Sequence, residues 1–310
     1  MLKVTNLTKK YGNLYAVDDI SFEISDGEIV GLLGPNGAGK STTLNVITGY
    51  LAMDTGSVLV EDIDIYEKPI EAKKHIGFLP EIPPLYPDMT VWEYLTFIYE
   101  LKGCDFNKMK HLNEVCEVVR IFDVRKKLIR TLSKGYKQRV GIAAAIVGNP
   151  KIVILDEPTV GLDPVQIIEV RNLIRNLGKK HTVILSSHLL SEVESVCDRV
   201  IVMNDGKIVA DEKVSTIATA YTSVNSIKVK ACGPRADVLA TLKAIPRVSS
   251  VKETSERDGD AFTFIVESPS GVDVRKAIFT ALAKKNYAIV GLENAGTELE
   301  EAFVKLINKK

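Results

Sequence analysis

One nine-residue stretch constrains this chain more than any other: Gly34 to Thr42 read GPNGAGKST. Gly34, Gly39, Lys40 and Ser41 satisfy the spacing G-x-x-x-x-G-K-[ST], a loop whose backbone N–H groups converge on phosphate oxygens. Glycine is needed there because a side chain would block that approach. The loop also needs a buried strand to deliver it and a helix start whose dipole faces the anion. The sequence offers both. Ile29–Leu33 is a short run fit for a buried strand, and a helical pattern covers Lys40–Thr48. Lys40 is expected to supply charge to the β and γ phosphates, and Ser41 to hold Mg²⁺.

The remaining pattern fits that demand. Ile76–Leu79, Ile152–Leu155, Val183–Leu185 and Val200–Met203 also read as buried strands. Helical patterns lie at Val91–Leu101, Lys108–Ile121, Ser133–Val147, Val165–Leu177 and Leu189–Val196. Thr90 and Glu93 have the spacing of a capping box, which starts a helix at Val91. Such alternation predicts an α/β domain with a mostly parallel sheet. The first residues alternate instead and turn at Asp26-Gly27, which predicts an antiparallel piece beside it. After residue 210 the order becomes strand Ser226–Lys230, helix Arg235–Ala244, strand Val248–Glu253, strand Ala261–Glu267, helix Val272–Lys285 and strand Ala288–Leu292. That is the ferredoxin-like α+β order. An amphipathic helix over Glu298–Ile307 is expected to follow. The domains are read as residues 1–215 and 225–310.

Two carboxylates end the strand in KIVILDEPTVGLD, residues 151–163. Asp156 is placed to hold Mg²⁺ and Glu157 to face the γ-phosphate and its attacking water. His188 follows ILSS at another strand end, where it can reach the same phosphate. In LSKGYKQR, residues 132–139, Ser133 and Gly135 stand at the start of an apolar helix. They make a second anion-ready helix start in a chain that already has one.

Composition bounds the rest. With 40 basic and 40 acidic residues the net charge is zero, which argues against a general nucleic-acid binder. The four cysteines show no metal-ligand spacing and read as free thiols of a reducing compartment. No apolar run approaches the roughly 20 residues that span a bilayer, and no signal peptide is read at the start. The chain is expected to be soluble, reaching a membrane only through a partner.

The ordered motifs GPNGAGKST, LSKGYKQR, VILDEPTVGLDP and SSH resemble the ATPase subunit of ATP-binding cassette (ABC) transporters. The resemblance covers residues 1 to about 220. It implies a P-loop NTPase fold with a helical subdomain and an antiparallel β subdomain. It implies that Tyr11 stacks on adenine, and that Gly34, Pro35, Asn36, Gly37, Ala38, Gly39, Lys40, Ser41 and Thr42 cradle ATP. Asp156 and Glu157 become the metal and catalytic pair, His188 the switch histidine, and Asp163 lies near a partner subunit. It further implies a head-to-tail dimer in which Ser133 and Gly135 of one subunit complete the phosphate cradle of the other. Two motifs depart from the usual pattern, the signature also carrying Tyr136–Lys137 after its second glycine. Lys134 replaces the first glycine of Leu-Ser-Gly-Gly-Gln, and Glu81 stands where a glutamine normally reads Mg²⁺ and water. Glu81 is retained as a metal-linked residue. These variants, with the ending LEEAFVKLI, resemble a subgroup that pairs with separate membrane subunits and acts mostly in export. The implied location is cytoplasmic, peripheral on the inner face of the membrane through a permease, with a homodimer or a related ATPase as partner. Rival readings are a soluble regulatory ATPase of the same type, and a P-loop kinase, which would have no use for LSKGYKQR.

Overall fold

The computed structural model describes residues 1–216, 224–269 and 271–294. The expected helix Glu298–Ile307 lies outside them. The chain divides at Val214 into two compact units.

In the first unit, β1 (Leu2–Tyr11) and β2 (Leu14–Ile24) form a hairpin, extended by β4 (Thr55–Val60) and β5 (Ile63–Asp64) into an antiparallel sheet of order β2-β1-β4-β5. The second sheet has six strands in the order β10-β9-β3-β8-β7-β6. These are β3 (Ile29–Leu33), β6 (Ile76–Leu79), β7 (Ile152–Leu155), β8 (Thr182–Ser187), β9 (Arg199–Asn204) and β10 (Lys207–Lys213). All its pairs are parallel except β9 with β10. Every residue of β3, β7 and β8 is buried, as befits parallel strands covered on both faces.

One core joins the two sheets. Leu2, Leu7 and Ile24 from the antiparallel sheet cluster with Leu44, Ile154 and Ile184. Burying each such side chain contributes about 1.5–3 kcal/mol. The helices of this unit are α1 (Lys40–Ile47), α2 (Pro69–Lys74), α3 (Val91–Leu101), α4 (Lys108–Val118), α5 (Lys134–Ile146), α6 (Pro164–Leu177) and α7 (Leu190–Val196). Between β6 and β7, α3, α4 and α5 form a helical subdomain. Its entry is set by the capping box: Glu93 N–H donates to Thr90 Oγ1 at 3.2 Å, and Thr90 N–H to Glu93 at 2.7 Å.

Helix α4 stops earlier than the apolar pattern suggests. Arg120 takes a left-handed conformation, φ 58°, and Ile121 N–H closes the end onto Cys116 O at 2.8 Å. The hairpin β1–β2 follows the expected alternation, whereas α2, β4, β5 and β10 are additions to the sequence reading.

The second unit has the order β11 (Val224–Cys232), α8 (Arg235–Lys243), β12 (Ser250–Asp258), β13 (Ala261–Pro269), α9 (Arg275–Ala283) and β14 (Ile289–Asn294). Its sheet runs β12-β13-β11-β14, all pairs antiparallel. Val229, Val238, Leu242, Phe264, Ile278 and Leu282 are fully buried in its own core.

Candidate active site

Register decides what meets what. Leu33 of β3 pairs with Ser187 of β8, Leu155 of β7 with Leu185 of β8, and Leu79 of β6 with Leu155. Four parallel strands therefore end at one edge of the sheet, where ligands of open α/β sheets bind. Gly34–Thr42 leaves β3 there, Asp156 and Glu157 leave β7, His188 leaves β8, and Glu81 stands two residues beyond β6.

The glycine loop is built around Gly39. Its φ is +100°, and a Cβ on it would lie 2.3 Å from the carbonyl oxygen of Ala16. Only glycine fits such a conformation at such an approach. Gly39 caps α1 without any side-chain hydrogen bond, so the first amides of α1 have no side-chain acceptor. Lys40 is buried, 6% exposed. Its ammonium donates to Gly34 O at 2.8 Å and Pro35 O at 3.2 Å, and lies 3.8 Å from Glu157 Oε1. Burial pushes the Lys40 pKa down, while Glu157, Asp156 and Glu81 pull it back up. The three carboxylates favour the charged ammonium, and that is the form that pairs with phosphate oxygens.

Asp156 is 4% exposed and its Oδ1 takes two hydroxyls, from Ser41 at 3.2 Å and Ser186 at 2.5 Å. Ser186 Oγ also accepts the Glu157 N–H at 2.8 Å. That second bond fixes an unusual backbone: Glu157 has φ 47°, a left-handed conformation that a non-glycine residue holds only when its surroundings demand it. The turn brings the Glu157 carboxylate between Lys40 and His188, whose Nδ1 is 2.9 Å from Glu157 Oε2.

A cavity of about 770 Å³ opens over these groups, lined among others by Asn36, Gly37, Ser41, Glu81, Glu157 and His188. Thr42 lines it as well. Ala38 is buried behind the loop. Tyr11, the expected adenine platform, is not among the residues lining this cavity. It is 51% exposed and pairs with Leu14 at the hairpin end. The cavity is lined instead by Leu14 and Tyr15 of β2. Ser133 and Gly135 do not line it either. Ser133 caps α5, accepting the Tyr136 N–H at 3.4 Å, and is exposed. Gly135 is buried under the side chain of Gln166. The sequence reading did not single out Ser186. A serine in a buried strand carries no signal of its own.

The donor set suits Mg²⁺. Ser41 and Asp156 offer oxygen atoms 3.2 Å apart, and Glu81 lines the same cavity. Among the described residues no group of three or more His, Cys, Asp or Glu forms a metal cage. Few, hard, oxygen-only ligands are what Mg²⁺ takes from protein when phosphate and water complete its shell.

Comparison with known proteins decides the family. Residues 17–160 match the family model described as ABC transporter. The ABC transporter ATP-binding protein YxlF of Bacillus subtilis is 32% identical over 99% of this chain and 100% of its own length. This chain belongs to the ABC transporter ATP-binding family. The bacitracin transport ATP-binding protein BcrA of Bacillus licheniformis is 38% identical over 68% of this chain and 69% of that one. A solved dimeric cassette, in a post-hydrolysis state bound to ADP and phosphate, superposes with a TM-score of 0.63 and 28% identity. It covers 69% of this chain and 99% of that one. The first unit is thus an ABC cassette on a P-loop NTPase fold, and the chain is an ATP-hydrolysing subunit of an ATP-driven transporter. Among the described residues no helix is long and apolar enough to cross a membrane.

Proposed function

We propose that two copies of this chain close head to tail around two Mg-ATP and thereby drive a separate membrane permease in export. One observation carries the dimer reading. The start of α5, with Ser133 exposed at its tip, lies outside the cavity that holds Lys40, Ser41, Glu157 and His188. A second anion-ready helix start that does not line its own cavity is suited to another copy's phosphate. The similar cassette solved as a dimer with ADP and phosphate supports a two-copy assembly.

Within each site, Lys40 and the amides of Gly34–Thr42 grip the β and γ phosphates. Ser41, Asp156 and Glu81 hold Mg²⁺, which when bound neutralises charge developing on the phosphate oxygens. Glu157 accepts a proton from the attacking water, and His188 holds the Glu157 carboxylate in place. Tyr11 at the hairpin end, or Tyr15 beside it in the cavity, stacks on the base. Ser133 and Gly135 arrive from the second copy, and Asp163 of each copy lies near its neighbour. ATP favours closure because only the closed state makes all phosphate contacts.

The permease side of this reading rests on the segment after Glu81. Ile82, 82% exposed, lines a groove with Pro83 and Leu85, and Pro84 and Tyr94 line another with Tyr50, which is 84% exposed. Apolar exposure of this kind marks a protein contact. Tyr94 itself is core, with its hydroxyl on Pro84 O at 3.1 Å. Export follows from the likeness of LSKGYKQR and Glu81 to the exporter subgroup. The location that goes with it is the cytoplasmic face of the membrane.

Glu157→Gln tests the scheme. Turnover is expected to fall by about 10²–10⁴, with ATP now trapping the dimer in size-exclusion chromatography. A variant that stays monomeric with ATP would overturn the closure scheme.

A further inference from the structure

The most buried carboxylate among the described residues has no part in the scheme above. Glu192, on α7, is 3% exposed. Both its oxygens are taken. Thr159 Oγ1 donates to Oε1, and Ser187 Oγ donates to Oε2 at 2.7 Å. Thr159 and Ser187 are themselves buried, at 5% and 0% exposure. Ser187 Oγ also accepts the Leu189 N–H at 3.0 Å. An ionised carboxylate only accepts hydrogen bonds, so two inward hydroxyls match it without a cation.

The two hydroxyls come from different loops. Thr159 is two residues past Glu157, on the turn closed by Val160 N–H to Glu157 O at 3.2 Å. Ser187 is the last residue of β8 and directly precedes His188. Glu192 therefore ties the turn that carries one reacting group to the strand end that carries the other. We infer that Glu192 is a positioning residue: it braces these two loops so that His188 Nδ1 stays within hydrogen-bond reach of Glu157 Oε2. The inference rests on the roles given above to Glu157 and His188. Displacing such a pair by about 1 Å costs on the order of 10²-fold in rate.

The test is a double-mutant cycle on the full-length chain, read by steady-state ATP hydrolysis and nucleotide titration. Glu192→Ala is expected to lower kcat by roughly 10- to 100-fold and leave ATP affinity within about threefold. Glu192→Gln should keep most of the activity, because its amide can accept one hydroxyl proton and donate to the other oxygen. In a His188→Ala background, Glu192→Ala should cost less than about twofold more, since coupled residues are non-additive. An equal loss in both backgrounds would show that Glu192 acts elsewhere and overturn the brace. If Glu192→Ala does not fold, Thr159→Val and Ser187→Ala replace it in the same cycle, each removing one donor. Full turnover by His188→Ala alone would instead overturn the role of His188, and a normal Glu157→Gln would overturn that of Glu157.

Discussion

At the scale of single residues, the site depends on side chains held in costly states by neighbours. Glu157 keeps a left-handed backbone because Ser186 takes its N–H. Lys40 is buried over two carbonyls. Lys102 is a third case, away from the site. Its ammonium donates to the carbonyls of Ala144 at 3.3 Å, Ala145 at 3.0 Å and Val147 at 2.7 Å, capping the end of α5. Burial pushes it down to about 8 from its ordinary 10.5. Below pH 8 it is charged in both states and the cost of burying the charge is present in full. Between pH 8 and 10.5 the unfolded chain binds a proton that the folded chain has lost, so stability rises with pH. Relative to Lys102→Met, the wild type should gain up to about 1.4 kcal/mol per pH unit across that window. Urea unfolding at pH 7.5 and 9.5 measures it, and a pH-independent difference would contradict it.

At the scale of elements, legibility followed the length of the signal. Buried strands and the Gly34–Thr42 loop were readable because an apolar run and a glycine pattern each admit few conformations. The Thr90–Glu93 box was readable because its reciprocal bonds need only those two residue types. What escaped was decided by contacts made at long range. The end of α4 turns on a left-handed arginine, which no local pattern announces. Ser186 and Glu192 look like ordinary polar residues until β7 and β8 are side by side. Tyr11 as the adenine platform rests on the family resemblance alone, and Leu14 and Tyr15 are the hairpin residues that line the cavity. Elements also meet more closely than a sequence can say. A Cβ on Gly77 of β6 would lie 2.1 Å from the carbonyl oxygen of Ala145 in α5. Backbone cannot yield as a side chain tip can. Gly77→Ala should therefore destabilise the cassette by about 1–3 kcal/mol, lowering Tm by roughly 2–4 °C per kcal/mol. Calorimetry would show it, and an unchanged Tm would mean that α5 shifts freely over β6.

At the scale of the molecule, the cassette motifs announced the fold and the ATPase chemistry, because four of them occur in a fixed order. The second unit was legible as the order strand, helix, strand, strand, helix, strand but not as an activity, since its fold supports many roles. The central claim is that the working enzyme needs two chains, each completing the other's pocket. It is tested most directly by mixing Lys40→Ala, which cannot grip phosphate, with Ser133→Arg, which cannot complete a partner. Each is expected to be nearly inactive alone. If pairs form at random, half are mixed and each mixed pair has one intact pocket of two, so hydrolysis should recover to about a quarter of wild type. An inert mixture, with wild-type turnover per chain unaffected by dilution, would contradict the claim.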